Sequence, residues 1–384
     1  MQSQNNLDAF FALVGAGLWE KEVQLLPFED IGISEIYRLA EEQSVVGLVA
    51  AGLEHCTDIK IPQDVALNIA GTVLQLEQRN IAMNSFVEKL YGEMRRMNIY
   101  SILVKGQGIA QCYKRPLWRA PGDVDLLLNE DEYERAKEWV GSFGQIIEGE
   151  NKFKKHILYR VTEWDVELHG TMRGELGGRI DEMIDEVQKD IFYGGRVRSW
   201  VNGSKTIVLP APNNDVILVF AHILQHFFRG GIGLRQICDW CRLLWTYRET
   251  SDLKLLEKRL KKMGIMSEWH AFAALAVDKL GMPVDAMPFY SPAVKWKRKS
   301  RRICDYIIEV GNFGFNRDLS YKSKSPFLMR MIKSLYLRTE DFIKQVRIFP
   351  MDSVLAFFYV WKTGFNVVGR KLRQCVFPQK QLSV

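Results

Sequence analysis

Residues 119–128, RAPGDVDLLL, join an acidic Asp-x-Asp motif to the apolar run of a buried β-strand. Residues two apart on an extended strand share one face, so Asp123 and Asp125 point the same way, while Val124 and Leu126 point into a core. Two neighbouring carboxylates repel each other unless a cation neutralises them, and Mg²⁺ prefers such oxygen ligands. The motif therefore predicts a strand that carries a metal site. The alternative is an exposed strand end with two solvated aspartates.

A glycine-rich turn lies upstream of this strand. The sequence Lys-Gly-Gln-Gly at 105–108 follows a β-rich run at 99–104 and precedes a short predicted helix at 109–113. Glycines let backbone amides approach a phosphate closely, and the N-terminus of a helix favours an anion. Lys105 and Arg119 are cations that we expect to face a triphosphate. The predicted nucleotide-binding residues are Lys105, Gly106, Gln107, Gly108, Arg119 and Gly122.

Two short strands are predicted at 157–161 and 164–169, joined by Thr162-Glu163. The second, WDVELH, can supply a third carboxylate. Asp165, Glu167 and His169 share one face of this strand. Glu167 is the first choice for the third carboxylate, and Asp165 is the alternative. His169 either orients Glu167, binds an acceptor or is a structural histidine. A phosphate site, paired aspartates and a third carboxylate are the parts of two-metal phosphoryl transfer.

These motifs, in this order, resemble the nucleotidyltransferase superfamily of the polymerase β type. More narrowly, Lys105-Gly106, Arg119, 122–127 and 167–169 are similar to the uncharacterised bacterial nucleotidyltransferase family, whose members carry Lys-Gly, Arg-x-x-Gly-Asp-(Ile/Val)-Asp and Asp-Leu-His. The resemblance is specific over residues 98–170 and looser in the helical region after 212. Two positions depart from it. Gln107 stands where the superfamily usually has Ser or Gly, and Glu167 stands where the narrower family usually has Asp.

The resemblance implies transfer of a nucleoside monophosphate from a nucleoside triphosphate such as ATP, dependent on Mg²⁺ or Mn²⁺, with release of pyrophosphate. It implies that Asp123 and Asp125 hold the metals, that Glu167 is the third carboxylate and accepts the acceptor's proton, and that the turn at 106–108 holds the triphosphate. The expected acceptor is a hydroxyl or phosphate of a sugar- or antibiotic-like small molecule or of a protein. The alternatives are a non-catalytic nucleotide- or partner-binding protein on the same fold and an RNA-modifying nucleotidyltransferase.

The hydrophobic pattern predicts helices on both sides of a small sheet. Helices are expected at 7–19, at 36–53 with Ser34 as its N-cap, and at 62–97. An Asn-Gly-Ser sequence at 202–204, between β-rich runs, predicts a hairpin. Segregated strands and helices favour an α+β fold. The predicted organisation is an N-terminal helical region (1–97), a nucleotidyltransferase core with a small mixed sheet (98–212), a helical domain (213–294) and a basic helical C-terminal region (295–384).

The predicted helical domain offers accessory site residues. His222 and His226 lie four residues apart and therefore on one helix face. Ile223 stands where a zinc protease needs Glu, which excludes that class. The two histidines either pack beside the sheet or contact the acceptor or nucleotide. The related family has a similar His-bearing helix followed by Arg and Asp, here Arg235 and Asp239.

Charge is distributed unevenly along the chain. The net charge is +6, but residues 295–384 carry 19 basic and 6 acidic side chains, which leaves an excess of acidic side chains in 1–294. Residues 350–373 combine apolar and aromatic side chains with basic ones, a composition that suits a helix lying on an anionic membrane. The alternative is a solvated basic surface packed against the acidic body, and nucleic acid is the less favoured partner because the sequence contains no aromatic-rich RNA motif.

The sequence also predicts the compartment. The first ten residues, MQSQNNLDAF, lack the basic and apolar regions of a secretory signal. The six cysteines are too few and too scattered for a disulfide framework. We therefore predict a cytoplasmic protein that could also contact a membrane peripherally. The sequence does not predict an oligomeric state.

Overall fold

The computed structural model describes residues 2–151, 155–317 and 326–358, and the fold is α+β, as predicted. The N-terminal region contains the helices α1 (Gln2–Trp19), α2 (Ile33–Glu42), α3 (Val46–Glu54) and α4 (Gln63–Arg96). The single helix predicted at 36–53 is wrong, because Ser44 adopts a left-handed backbone with φ 56°, which separates α2 from α3. Ser34 is not the N-cap: α2 begins one residue earlier, and Gly32 precedes it.

The main sheet contains five strands in the order β1-β2-β5-β4-β3. Their bounds are β1 (Ser101–Val104), β2 (Val124–Leu128), β3 (Gln145–Asn151), β4 (His156–Val161) and β5 (Trp164–His169). β2 and β5 run parallel and the other neighbouring pairs antiparallel, which confirms the predicted mixed sheet. The sequence did not predict β3. This edge strand exposes the adjacent Ile146 and Ile147 and shifts register twice against β4, so it lacks the alternation that identifies a strand.

Helices connect the strands and form the rest of the chain. α5 (Gly106–Ala110) follows β1, α6 (Glu130–Gly141) follows β2, and α7 (Gly178–Phe192), which the sequence did not predict, follows β5. The predicted hairpin is confirmed: β6 (Val197–Asn202) and β7 (Lys205–Pro210) turn at Gly203, where φ is 57°. The later helices are α8 (Pro212–Arg229), α9 (Leu234–Thr246), α10 (Leu253–Met263), α11 (Met266–Asp278), α12 (Val294–Val310), α13 (Phe327–Val346) and a further helix at 350–358.

The two faces of β2 meet different cores. Val124, Leu126 and Leu128 pack in a cluster with residues of α4, α6 and β5. Leu127 lies on the opposite face, in a larger cluster that also contains residues of α8, α9 and α11. Because Asp125 is two residues before Leu127, its carboxylate lies on the face that the helical half covers. The packing therefore places the acidic motif between the sheet and the helices after 212.

The larger cluster runs through most of the chain. It includes Phe10 of α1, Phe220 of α8, Trp269 of α11 and Ile307 of α12, all of them essentially inaccessible to solvent. A shared core of this kind couples the N-terminal helices to those after residue 212. The boundaries after residues 97, 212 and 294 stay predictions.

A buried acid pair joins the helix at 350–358 to α11. The Glu268 side chain is 2% exposed, its Oε2 has no hydrogen-bond partner among the described residues, and it lies beside Asp352. Burial, together with the charge of Asp352, raises the pKa of Glu268 to about 9. The carboxyl group is therefore protonated in the folded protein at neutral pH, whereas in the unfolded chain it ionises near its ordinary pKa.

We expect Glu268→Gln to raise the melting temperature at pH 8 by more than it does at pH 5. The folded-state pKa is raised, so the free energy of unfolding falls as the pH rises from about 4.5 toward 9. A glutamine stays neutral and removes that loss. Thermal melting of both proteins from pH 5 to pH 8 measures the effect. Glu257→Gln, at an exposed side chain paired with Lys261, is the control and should shift neither curve; parallel curves for Glu268→Gln and wild type would refute the assignment.

The basic C-terminal region is partly packed. In α12, the Lys299 ammonium lies 4.8 Å from the ring centroid of Phe349, and the Arg302 guanidinium donates to the carbonyl oxygen of Arg347. Within the described residues, no helix has both the length and the apolar character needed to cross a bilayer. Membrane contact through 350–373 stays a prediction, and residues 359–373 lie outside the described part of the chain.

Candidate active site

Adjacent parallel strands bring the predicted carboxylates together. In the register of β2 and β5, Asp125 is opposite Glu167 and Leu127 is opposite His169. These positions face a cavity of about 270 Å³ between the sheet and the helices α8 and α9. Residues that line it include Lys105, Gly106, Arg119, Gly122, Asp123, Asp125, His156, Glu167, His169, Arg173, His222, His226, Arg235, Asp239 and Phe313.

Asp125 is held by two cationic or polar partners. The Lys105 ammonium lies 2.7 Å from Asp125 Oδ1, and His169 Nε2 lies 2.8 Å from the same oxygen. Burial alone would lower the pKa of Lys105 and of His169, but these contacts with Asp125 raise both. Lys105 is therefore an internal counterion of the carboxylate group in the ligand-free protein.

Glu167 lies between two imidazoles. Its Oε2 is 3.2 Å from His169 Nε2 and 3.4 Å from His156 Nε2. Burial would raise the pKa of Glu167, but the two imidazoles and the charge of Lys105 hold it well below its usual range. The carboxylate therefore stays ionised and is a weak proton acceptor, which suits holding a cation better than acting as a base.

Asp123 is the carboxylate without a partner. It makes no hydrogen bond or ion pair with the described residues, and burial together with the charges of Asp125 and Glu167 raises its pKa to about 6. A carboxylate surrounded by other carboxylates in this way gains from a cation placed nearby.

The alternative third carboxylate lies elsewhere. Asp165 forms a partly exposed ion pair with the Arg160 guanidinium of β4. It does not line the cavity. Of the two candidates on β5, the structure therefore places Glu167 in the cavity.

The glycine-rich turn is only partly directed at the cavity. Lys105 and Gly106 both have positive φ, 58° and 40°, which aims Lys105 back at Asp125. The Gln107 amide instead donates to Asn84 Oδ1 of α4 at 2.6 Å. A Cβ on Gly108 would lie 2.7 Å from a methyl carbon of Leu209, so this glycine permits close packing on β7. Gln107 and Gly108 therefore anchor the turn, while Lys105 and Gly106 face the cavity.

Arg119 and Asp239 form a buried pair at the edge of the cavity. Two guanidinium nitrogens of Arg119 donate to the two carboxylate oxygens at 2.7 Å each, and Tyr113 donates to Asp239 Oδ1 at 2.7 Å. The two charged side chains are 5% and 6% exposed. Two of the guanidinium nitrogens of Arg119 are thus hydrogen-bonded to Asp239, and this pair joins the loop before β2 to α9.

A second arginine holds the same loop. Arg235 of α9 donates from Nη1 to the carbonyl oxygens of Ala120 and Pro121 at 3.0 and 3.1 Å. A Cβ on Gly122 would lie 3.6 Å from this guanidinium. Burial and the charge of Arg119 lower the pKa of Arg235 to about 10. Its role in the structure is to position the chain immediately before Asp123.

The histidines of α8 face the cavity as neutral groups. The rings of His222 and His226 have centroids 4.3 Å apart, and His226 also lies against Phe313. Burial and the charge of Lys105 lower the pKa of both, to about 4 for His226. They can hydrogen-bond a ligand without adding charge.

His156 lines the cavity but was not among the predicted site residues. The predicted strand began at Ile157, one residue too late. The pattern nevertheless contained the signal: a hairpin whose turn is Thr162-Glu163 pairs Val161 with Trp164, and counting back along both strands puts His156 opposite His169, as the structure shows. Phe313 had no such signal, because it reaches the cavity from a distant segment of the chain.

A family model described as an uncharacterised nucleotidyltransferase matches residues 29–281. The chain belongs to this family. The match contains every cavity residue named above except Phe313, and it confirms the family that the motifs predicted. Comparison of the chain with curated proteins and with solved structures gave no match.

Proposed function

We propose that this protein transfers a nucleoside monophosphate from a nucleoside triphosphate, in a Mg²⁺- or Mn²⁺-dependent reaction, to a hydroxyl or phosphate of a small molecule or protein. The observation that carries the proposal is the convergence of Asp123, Asp125 and Glu167 in one cavity, from two adjacent parallel strands. Family membership supports the class of reaction.

The cavity fits a divalent cation. Among the described residues, the close cationic partner of these three carboxylates is the ammonium of Lys105, and burial together with the charges of Asp125 and Glu167 still raises the pKa of Asp123. Asp123, Asp125 and Glu167 would hold the ion, since hard cations take carboxylate oxygens. When bound, it would neutralise charge on the phosphates and activate the attacking oxygen.

The chain's own residues supply the rest. Lys105 and Gly106, at the cavity end of the turn, would bind the triphosphate, and Arg235 fixes the loop that presents Asp123. In the reaction, the acceptor oxygen forms a bond to the α-phosphorus while the bond from that phosphorus to the bridging oxygen breaks, and the proton of an acceptor hydroxyl passes to water. Pyrophosphate leaves with the electron pair. The neutral imidazoles of His222 and His226 provide hydrogen-bond partners for the acceptor on the opposite wall.

Incubation of the full chain with each α-labelled nucleoside triphosphate, Mg²⁺ or Mn²⁺ and cell extract tests the proposal. We expect label in a product of the acceptor and release of pyrophosphate. Label in small molecules or protein supports the proposal, and label in RNA shifts the acceptor to RNA. Nucleotide binding without release of pyrophosphate, with every nucleotide and ion, would instead mean a binding protein on the same fold.

Lys105→Met should have opposite effects on the metal and on the nucleotide. Without the ammonium 2.7 Å from Asp125, Mn²⁺ binding in the absence of nucleotide should tighten by about tenfold, because a competing cation is gone. Nucleotide transfer should fall by at least about tenfold, because the phosphates lose a charge-assisted contact. Mn²⁺ titration followed by electron paramagnetic resonance measures the first effect. Lys137→Met, at an ion pair with Glu150 on the outer side of the sheet, is the control; weaker Mn²⁺ binding in Lys105→Met would contradict the counterion role.

A further inference from the structure

We propose that His156, Glu167 and His169, with Asp125, form a binding site for a borderline divalent transition ion of the Zn²⁺ or Co²⁺ type. The inference rests on the proposed function for any role in catalysis, because this site shares Glu167 and Asp125 with the three carboxylates proposed to hold the catalytic ion. The binding itself is tested separately from nucleotide transfer.

The spacing of the ligand atoms fits such an ion. One donor atom from each of His156, Glu167 and His169 lies within 4.8 Å of the others. Glu167 Oε2 is 3.4 Å from His156 Nε2 and 3.2 Å from His169 Nε2. Ligands about 2.0–2.1 Å from a tetrahedral ion are roughly 3.3–3.4 Å from one another. The two distances to Glu167 are therefore already close to those between ligands of a tetrahedral ion.

The same distances suit hydrogen bonds less well. Charge-assisted N–H···O contacts are about 2.7–2.9 Å long. The contact of His169 with Asp125, at 2.8 Å, falls in that range, whereas both contacts with Glu167 exceed it. Glu167 is held near two imidazoles without a short bond to either, which leaves room for an ion between them.

The donor types select the metal. Two imidazole nitrogens and a carboxylate suit zinc, cobalt or manganese, whereas Mg²⁺ takes oxygen donors and keeps its waters. A magnesium site made of the three carboxylates uses neither the imidazole of His156 nor that of His169, which lies opposite it. The pairing of these two residues across β4 and β5 gives the cavity a nitrogen-rich side that Mg²⁺ does not require.

Charge and access permit binding. The carboxylates of Asp123, Asp125 and Glu167 line the same cavity as the ammonium of Lys105 and outnumber it, so the cavity can accept a further cation. The side chains of His156 and Glu167 are 18% and 21% exposed and line the open cavity, so an ion can enter. On binding, the ion replaces a proton on His169 Nε2 and competes with the ammonium of Lys105 for Asp125.

Co²⁺ and Zn²⁺ titrations of the metal-stripped full-length protein test the site. In the presence of excess Mg²⁺, we expect one Co²⁺ per chain, with visible absorption bands of an imidazole-ligated ion, and displacement by Zn²⁺. His156→Gln should weaken Zn²⁺ affinity by at least about 10- to 100-fold, because the loss of a residue that only contacts a ligand already costs that much. His270→Gln, whose ring packs on Trp296 and contacts a backbone carbonyl, is the control and should bind as wild type does.

The outcomes separate this inference from the proposed function. Absence of a Co²⁺ spectrum in wild type, displacement of Co²⁺ by Mg²⁺, or equal affinity in His156→Gln overturns the transition-ion site, whatever the protein does with nucleotides. A stoichiometric Co²⁺ spectrum that depends on His156 supports it even if no nucleotide is transferred, in which case only the proposed function fails. Thermal melting in a chelator confirms that each variant is folded.

Discussion

Asp123→Asn is expected to reduce nucleotide transfer by about a thousandfold or more. A metal ion stabilises the charge of a phosphoryl-transfer transition state by several kcal/mol, and each 1.36 kcal/mol is a factor of about ten in rate. Asp123 is the carboxylate in the cavity that the described residues leave without a hydrogen bond or ion pair. Its carboxylate lines the cavity and is open to an ion from solution.

The same variant should not damage the fold. Asp123 loses no partner when it becomes Asn, and the repulsion from Asp125 and Glu167 that raises its pKa is relieved. Melting in a chelator should occur at the wild-type temperature or above it. Asp125→Asn is a less selective test, because it also removes the partner of Lys105 and of His169. Wild-type turnover by a folded Asp123→Asn protein would refute the carboxylate site.

The part of the site that the sequence predicts well follows from strand geometry. Alternation along β2 separates Asp123 and Asp125 from Val124 and Leu126, and it needs only the dihedral pattern of a strand. The pairing of β2 with β5 brought Glu167 opposite Asp125, which confirms the mixed sheet that the motifs implied. Local rules of this kind depend on neighbours within a few residues.

The roles that the sequence could not predict depend on partners far along the chain. Gln107 turns to Asn84 of α4, 23 residues earlier, and Arg119 is paired with Asp239, 120 residues later. A basic residue beside a phosphate motif looks the same in sequence whether its guanidinium faces a ligand or a buried carboxylate. The bend at Ser44 was missed because the apolar residues on either side of the polar residues 41–44 both have helical spacing, although the backbone turns at Ser44.

Asp239→Ala is expected to lower the free energy of unfolding by about 3–5 kcal/mol. Removing one partner of a buried ion pair leaves the other charge without compensation, and losses of that size are typical. Arg119 is 5% exposed on its side chain, so water cannot replace the carboxylate, and the Tyr113 hydroxyl loses its acceptor as well. Urea-induced unfolding followed by circular dichroism measures the change.

Asp165→Ala is the matched control for this prediction, because it removes another Asp–Arg pair from the same chain. The Arg160–Asp165 pair is 42% and 29% exposed, and solvent-exposed pairs contribute about 1 kcal/mol or less. The comparison also decides between two roles for Arg119. If its main role were to bind the triphosphate, Asp239→Ala would free the guanidinium, change the KM for nucleotide and leave stability close to that of the Asp165→Ala control. A large loss of stability with Asp239→Ala alone would show that Arg119 acts by fixing the loop that presents Asp123.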